Sequence, residues 1–211
     1  MKKSPKIIVG KGKKLGPRVQ LGAVSGRAVA DSKLVIGDHA NIRSGAVVYA
    51  GSRIGNHLET GHNAVIREEN RIGDHFSIWT NSIVDYGCKI GNGVKVHCNC
   101  YVAQFTTLED DVFLAPGVII ANDLHPGAPD VVDCMKGPTL KKGVQVGCNV
   151  TILPHVTIGE HSLIGAGSVV SKDIPPYTIA YGNPARPAKK ITDLKCSVKE
   201  HFPYEHLKKL G

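Results

Sequence analysis

One aliphatic residue returns every six positions over about a hundred residues, and no other feature of this 211-residue chain limits its fold so sharply. From Val24 to Ile120 the sixth-residue positions read Val24, Ala30, Ile36, Ile42, Val48, Ile54, Thr60, Ile66, Ile72, Ile78, Val84, Ile90, Val96, Val102, Leu108, Leu114 and Ile120. Fifteen of these 17 are Val, Ile or Leu. A helix repeats every 3.6 residues and a coiled coil every seven, so neither keeps this phase. Past Ile120 the count restarts two residues out of phase, at Leu140, Val146, Ile152, Ile158, Ile164 and Val170, which marks 121–139 as an inserted loop.

Within each hexad the residue after the aliphatic is often glycine (37, 55, 61, 73, 91, 147, 159, 165), which is expected to permit a tight corner. The fourth residue after it is usually small or aliphatic, as at Ala40, Ala46, Ser52, Ala64, Ser82, Cys88, Cys100 and Val150, and packs beside the large one in a narrow coil. Short β segments joined by such corners stack into a solenoid in which each coil buries its aliphatics only against its neighbours. The pattern resembles that of the hexapeptide-repeat acyltransferases, which implies an all-β, left-handed parallel β-helix with three hexads per triangular turn. About seven coils are expected over 19–172, preceded by a basic lead-in or cap at 1–18. A Pro-rich exit and a C-terminal tail with a weakly helical pattern follow at 173–211.

With 18 residues per coil, residues 18 apart stand about 4.8 Å above one another. Asn63, Asn81 and Asn99 then form one column, read as an amide ladder at a corner. His39, His57 and His75 form another, read as solvated corners and not as a metal site, since no tight His-x-His or Cys-x-x-Cys pair supports one.

The formal +8 divides unevenly. Residues 1–18 hold seven Lys/Arg and no acid, and 186–211 hold seven Lys/Arg against three acids, which leaves a mildly acidic body. Aromatics, 5% of the chain, are not interleaved with the basic residues, and no nucleic-acid-binding signature appears, so no nucleic-acid partner is expected. No apolar run approaches the roughly 20 residues of a membrane span. The start, Met1-Lys2-Lys3-Ser4-Pro5-Lys6, lacks the apolar run of a secretion signal. A cytoplasmic protein with no membrane partner and six free thiols is expected, with Cys98 and Cys100 serving as packing residues.

The flat side of a solenoid offers no pocket, so chemistry is sought on the loop, which opens Asn122-Asp123-Leu124-His125-Pro126. A histidine beside a carboxylate and an amide has the composition of a general base with orienting partners. Leu114-Ala115-Pro116-Gly117-Val118-Ile119-Ile120 followed by this segment resembles maltose and galactoside O-acetyltransferases. It also resembles the Asn-Asp-x-x-Pro segment of nucleotide-linked amino-sugar N-acyltransferases. The runs Gly147 to Pro154, Ile164 to Pro176 and Gly182-Asn183-Pro184-Ala185-Arg186 resemble acyl-CoA-dependent members.

That resemblance implies acetyl-CoA as co-substrate, a small-molecule acceptor, and a homotrimer with sites between subunits. It assigns His125 as base, Asn122 and Asp123 as its partners, and Asn99 to the acceptor, with His97 and His62 as second candidates for the base. Cys148 and Ala166 match residues whose backbone amides hold the pantetheine arm; Ser171, Lys172, Arg186 and Lys189 match positions near its end and the phosphates.

Thr60 to Asn70 and Val96 to Cys100 resemble the amino-sugar enzymes more than the maltose type, although Asp85-Tyr86 stands where several of those carry Glu-His. N-acetylation of an amino sugar, one linked to a nucleotide, is the leading expectation. O-acetylation of a sugar or antibiotic hydroxyl, a γ-carbonic-anhydrase-type zinc hydrase and a non-catalytic scaffold are the alternatives. The remainder of the loop, with Asp130, Asp133, Cys134 and Lys136, is expected to shape the acceptor pocket. Exposed aliphatics such as Val118 and Ile119 are expected to be covered by subunit contact.

Overall fold

The computed structural model describes residues 4–209; residues 1–3 of the expected lead-in and 210–211 of the tail lie outside them. Most hexads contribute a strand of two residues, such as Arg53–Ile54, Glu59–Thr60 and Val65–Ile66, whose first side chain faces out and whose second faces in. Strands 18 residues apart pair in parallel, Arg71 lying between Arg53 and Lys89. Three sheets result, of 8, 10 and 8 strands, and they are the faces of a triangular column. Face A begins with Ile7–Val9, face B with Lys14–Leu15 and face C with Gln20–Ala23.

The inward column is the core: Ile42, Ile78, Val84, Val96, Val102, Leu114 and Ile152 are fully buried, each side chain contributing about 1.5–3 kcal/mol. The small residues of the hexad are buried beside them, and the serines among them bond to backbone, Ser82 Oγ donating to the His97 carbonyl at 2.5 Å. A second ladder runs outside the coil. The backbone N–H of Asp38 donates to Asn56 Oδ1 (2.9 Å), that of Asn56 to Asp74 (2.6 Å), that of Asp74 to Asn92 (2.9 Å) and that of Asn92 to Asp110 (2.7 Å).

The corners turn differently from the expectation. The residue after the aliphatic is glycine because the next coil approaches there; a Cβ at Gly55 would lie 2.7 Å from the carbonyl carbon of Gly73. The left-handed backbone that makes the corner falls two residues later, on His39, His57 and His75 (φ 57 to 60°) and on Asn63, Asn81 and Asn99 (φ 55 to 59°). Asparagine tolerates that region best, and Asn63 Nδ2 reaches Asn81 Oδ1 at 3.4 Å. The histidine rings stack, with centroids 5.2 and 4.5 Å apart.

The column has eight coils, one more than the repeat count suggests, because residues 7–23 form the first. Ile7 pairs with Leu34 and Lys14 with Asn41, 27 residues on instead of 18, so nine extra residues sit between the first two coils at 24–33. Val24 and Ala30, which open the six-residue count, lie exposed on this strap, and Val9, Leu15 and Leu21 hold the equivalent positions in the coil. The second insertion is the expected one: Thr107 pairs with Thr139, and 121–138 leave the column between them with one short helix, Val131–Cys134.

At the far end Thr178–Gly182 extends face B and turns into the antiparallel Ala185–Lys190 across a cis Asn183–Pro184 bond. The tail, with 3-10 turns at Ile191–Asp193 and Glu205–Lys209, folds back on face B. Ile191 and Leu207 are buried there with Ile179, and Tyr204 donates to Gln145 Oε1 at 3.1 Å. No helix among the described residues is long and apolar enough to cross a membrane.

Candidate active site

The residues singled out in the sequence gather at the two edges of face C. At the edge shared with face B stand His97 and Asn99, then Cys148 and Ala166 one coil above the other, because Gln145 and Leu163 pair 18 residues apart. Cys148 and Ala166 are exposed. Neither backbone N–H donates a hydrogen bond among the described residues, whereas their neighbours do: Asn149 to the Pro116 carbonyl (3.0 Å) and Gly167 to the Cys148 carbonyl (2.8 Å). Two free amides aligned along one edge of the column suit the amide and carbonyl groups of a pantetheine arm.

Arg186 reaches the same edge on the terminal hairpin, opposite Tyr181, and Lys189 lies three residues further along the strand. Both are exposed, without a carboxylate partner among the described residues, and so are available to phosphate. His97 is half-buried against Trp79 and Phe113, and His62, two coils below Cys98, bonds through Nδ1 to Ser44 Oγ at 2.7 Å.

At the other edge of face C, shared with face A, stand Asn122, Asp123 and His125, together with Ser171 and Lys172 two coils higher. Asp123 Oδ1 accepts the His125 backbone N–H at 2.8 Å, which holds the turn and leaves the exposed imidazole without a hydrogen bond among the described residues. The loop is tied down by Lys136 N–H to the Asn122 carbonyl (2.8 Å) and by His155 Nε2 to the Cys134 carbonyl (2.8 Å). Asn122 is 8% exposed and its Nδ2 has no hydrogen-bond partner among the described residues. Asn99 and His125 thus lie at opposite edges of one face, and a single chain does not bring them together.

Below the loop on this edge lies a buried ionic cluster that sequence reasoning did not assemble. Glu68, with a fully buried side chain, accepts from Arg67 Nε (2.9 Å), Arg27 Nη1 (3.0 Å) and Ser25 Oγ (2.7 Å). Burial opposes ionisation of Glu68, but those bonds outweigh it and hold its carboxyl down at about 2. Asp85, also buried, accepts from Tyr101 Oη (2.7 Å), Gln104 Nε2 (2.6 Å) and the Tyr86 backbone N–H (2.8 Å). Burial and the Asp85 bond push the Tyr101 hydroxyl well above its usual range, so it stays protonated. Arg27, from the strap, lies 3.6 Å from the Tyr86 ring centre. The segment carrying Arg67, Glu68 and Glu69 was visible as an acceptor-like block, but its partners Ser25 and Arg27 are some forty residues away, across an insertion the repeat count concealed.

The six cysteines are free. Cys100 and Cys88 are buried, and burial raises both thiols, Cys88 to about 12, as befits packing residues. Val118, expected on the surface, is buried in the core, while Ile119 beside it is 42% exposed. Among the described residues no three His, Cys, Asp or Glu side chains converge as a metal site.

Two stretches, 87–122 and 137–172, match the family described as bacterial transferase hexapeptide (six repeats), and the gap between them is the inserted loop. No curated protein sequence matches significantly. Among solved structures the chain is similar to LpxA, a UDP-N-acetylglucosamine acyltransferase from Bacteroides fragilis. That match has a TM-score of 0.72 and 22% identity over 89% of this chain and 71% of that one. It is similar also to the polySia-specific acetyltransferase NeuO, with a TM-score of 0.54 and 22% identity over 97% and 91% of the two chains. A serine acetyltransferase in complex with CoA aligns over 51% of this chain and 42% of its own, at a TM-score of 0.42 and 27% identity. The fold is the left-handed parallel β-helix that the family resemblance implied.

Proposed function

We propose that this chain, a member of the hexapeptide-repeat superfamily of bacterial transferases, is an acetyl-CoA-dependent acyltransferase that N-acetylates an amino sugar, and that it works as a cytoplasmic homotrimer. The observation that carries the reading is the pair of unbonded, stacked amides at Cys148 and Ala166, below the exposed Arg186 on the terminal hairpin. Their donor pattern suits a pantetheine arm ending in phosphates, with Lys189 further out.

Three identical chains suit the column because face C is the apolar one. Above Gln20 of the first coil its outward residues are Val47, Val65, Ile83, Tyr101, Ile119, Thr151 and Val169, whereas those of face A include Arg53, Arg71 and Lys89. Closing face C against a neighbour buries Ile119 and sets His125 of one chain toward Asn99, Cys148 and Ala166 of the next, which answers their separation within one chain.

Bound acetyl-CoA supplies a thioester as the electrophile. His125 accepts the proton of the acceptor amine as the new C–N bond forms and the C–S bond breaks, then returns that proton to the leaving thiolate. Asp123 keeps the turn that presents His125, Asn99 orients the acceptor, and a backbone N–H holds the developing oxyanion. Purified protein with acetyl-CoA and a panel of amino sugars, nucleotide-linked amino sugars and plain sugars, followed by release of free CoA thiol, tests the reading. His125→Ala is expected to lower kcat by about 10² to 10⁴-fold. Wild-type turnover in that variant would transfer the role to His97, and no thiol release from any acceptor would end the reading.

A further inference from the structure

Both insertions leave face C and enter face A, so the strap 24–33 and the loop 121–138 lie along one edge of the column. The strap covers the lower coils, where Ser25 and Arg27 reach Glu68 and Arg27 lies on Tyr86. The loop covers the upper ones. Between them one coil is open, and it presents Gln104 and Phe105, with Tyr86 one coil below and Asn122 one coil above.

Three features of this gap point to a ligand. Phe105 is 42% exposed and adopts φ 61°, a region costly for a bulky side chain and occupied by Gly87, Glu69 and Gly51 at the coils below. Its ring lies over Gly87, where a Cβ would come within 2.9 Å, and meets Tyr86 edge-on at 5.4 Å. Asn122 keeps a buried Nδ2 donor without a partner, a cost of about 1–3 kcal/mol that a bound acceptor would remove. Gln104 spends its Nε2 on Asp85, which leaves its amide oxygen as an acceptor one coil below that donor. The charge balance is also informative. Arg27 and Arg67 face three carboxylates, Glu68, Glu69 and Asp85, so the strap side of the gap has no spare cation for a phosphate.

We infer that the gap between strap and loop is the acceptor subsite and takes an uncharged or amine-bearing pyranose ring. The apolar face of the ring lies on Phe105, and vicinal polar substituents bond to Asn122 Nδ2 and Gln104 Oε1. The inference deepens the acyltransferase reading and rests on it for the word acceptor. The phosphates of the co-substrate are assigned to Arg186 and Lys189 on the terminal hairpin, whereas Ser171 and Lys172 stand on this edge two coils above Asn122.

Saturation-transfer NMR with glucosamine and N-acetylglucosamine, run in parallel with CoA, tests this without turnover. Transfer to the sugar C–H protons is expected in the wild type and should fall at least fivefold in Phe105→Asn, while transfer to the CoA adenine protons is unchanged. Asparagine suits the left-handed corner, so this variant should melt no lower than the wild type. Asn122→Leu, which removes an unpaired buried amide, should melt higher and yet lose sugar transfer. Absence of sugar signal, equal signal in both variants, or loss of the CoA signal in its place would overturn the subsite. Sugar binding that depends on Phe105 without any acetyl transfer would keep the subsite and remove the enzymatic reading; transfer to a sugar unaffected by Phe105→Asn would do the reverse.

Discussion

Glu68 is the point at which the strap is fastened to the column, and its carboxyl should make the protein's stability depend on acid in a defined window. The carboxyl ordinarily titrates near 4.5 and is held here at about 2. A folded-state value below the unfolded one means stability that is fully present above the unfolded pKa and is lost as pH falls through the folded one. The difference corresponds to about 3 kcal/mol, present above about pH 5 and gone by about pH 2.

Glu68→Gln keeps the shape and removes the charge, leaving Arg67 and Arg27 without it. Their side chains are 30% and 38% exposed, so water compensates them in part and the cost at pH 7 should stay near the lower end of the 3–5 kcal/mol typical of a broken buried pair. The assay is urea denaturation of both proteins at a series of pH values and one fixed protein concentration, followed by emission of the single tryptophan, Trp79. The wild type should be about 3 kcal/mol more stable at pH 7, and the gap should narrow steadily below pH 4.5. A gap that stays constant down to pH 2 would refute the reasoning, because the loss would then come from shape or hydrogen-bond geometry and not from a carboxylate held ionised.

Other consequences can be checked with the same protein. Iodoacetamide on the folded chain should label exposed Cys148 and leave buried Cys88 and Cys100 unmodified until urea is added, as read by peptide mass mapping. CoA should slow labelling of Cys148, and no slowing at saturating CoA would take that residue out of the cofactor groove. At the asparagine corner, Asn81→Gly should leave stability nearly unchanged while Asn81→Val costs about 1–2 kcal/mol, since φ 59° penalises a β-branched side chain. Gly55→Ala should cost about 1–3 kcal/mol for a different reason, collision with the coil above, and a thermal melt showing no loss would contradict the close approach to Gly73.

The repeat made the column legible because each coil solves the same packing problem, so a single residue type at every sixth position is enough to reveal it. The loop at 121–138 was legible by the phase it broke. The strap was not, for an arithmetic reason. Its nine extra residues amount to half a coil, one and a half hexads, so Val24 and Ala30 continue the later phase backward although both are exposed, and the true coil residues Val9, Leu15 and Leu21 run three positions off. The ionic cluster was lost with it, because pairing Glu68 with Ser25 and Arg27 requires knowing where the strap crosses. Phe105 was hidden by its surroundings in sequence: it occupies a corner position filled elsewhere mostly by Gly, His or Asn, and only the dihedral angle shows the left-handed backbone that the aromatic must adopt there.

The net charge acquires a structural meaning once the three faces are separated. Face B is covered at its upper coils by the chain's own tail, through Ile191, Leu207 and Tyr204. Face A carries Arg53, Arg71 and Lys89 in register on adjacent strands, and like charges directly opposed oppose close approach of a second chain. Face C presents mainly valine and isoleucine and has both insertions at one edge and the free amides at the other. Water is tolerated by the first two faces and disfavoured by the third, so face C is the face through which the proposed association runs. That association puts the loop edge of one chain beside the amide edge of another. A site divided between the two edges of one face is then consistent with function, since each half is completed by the chain next to it.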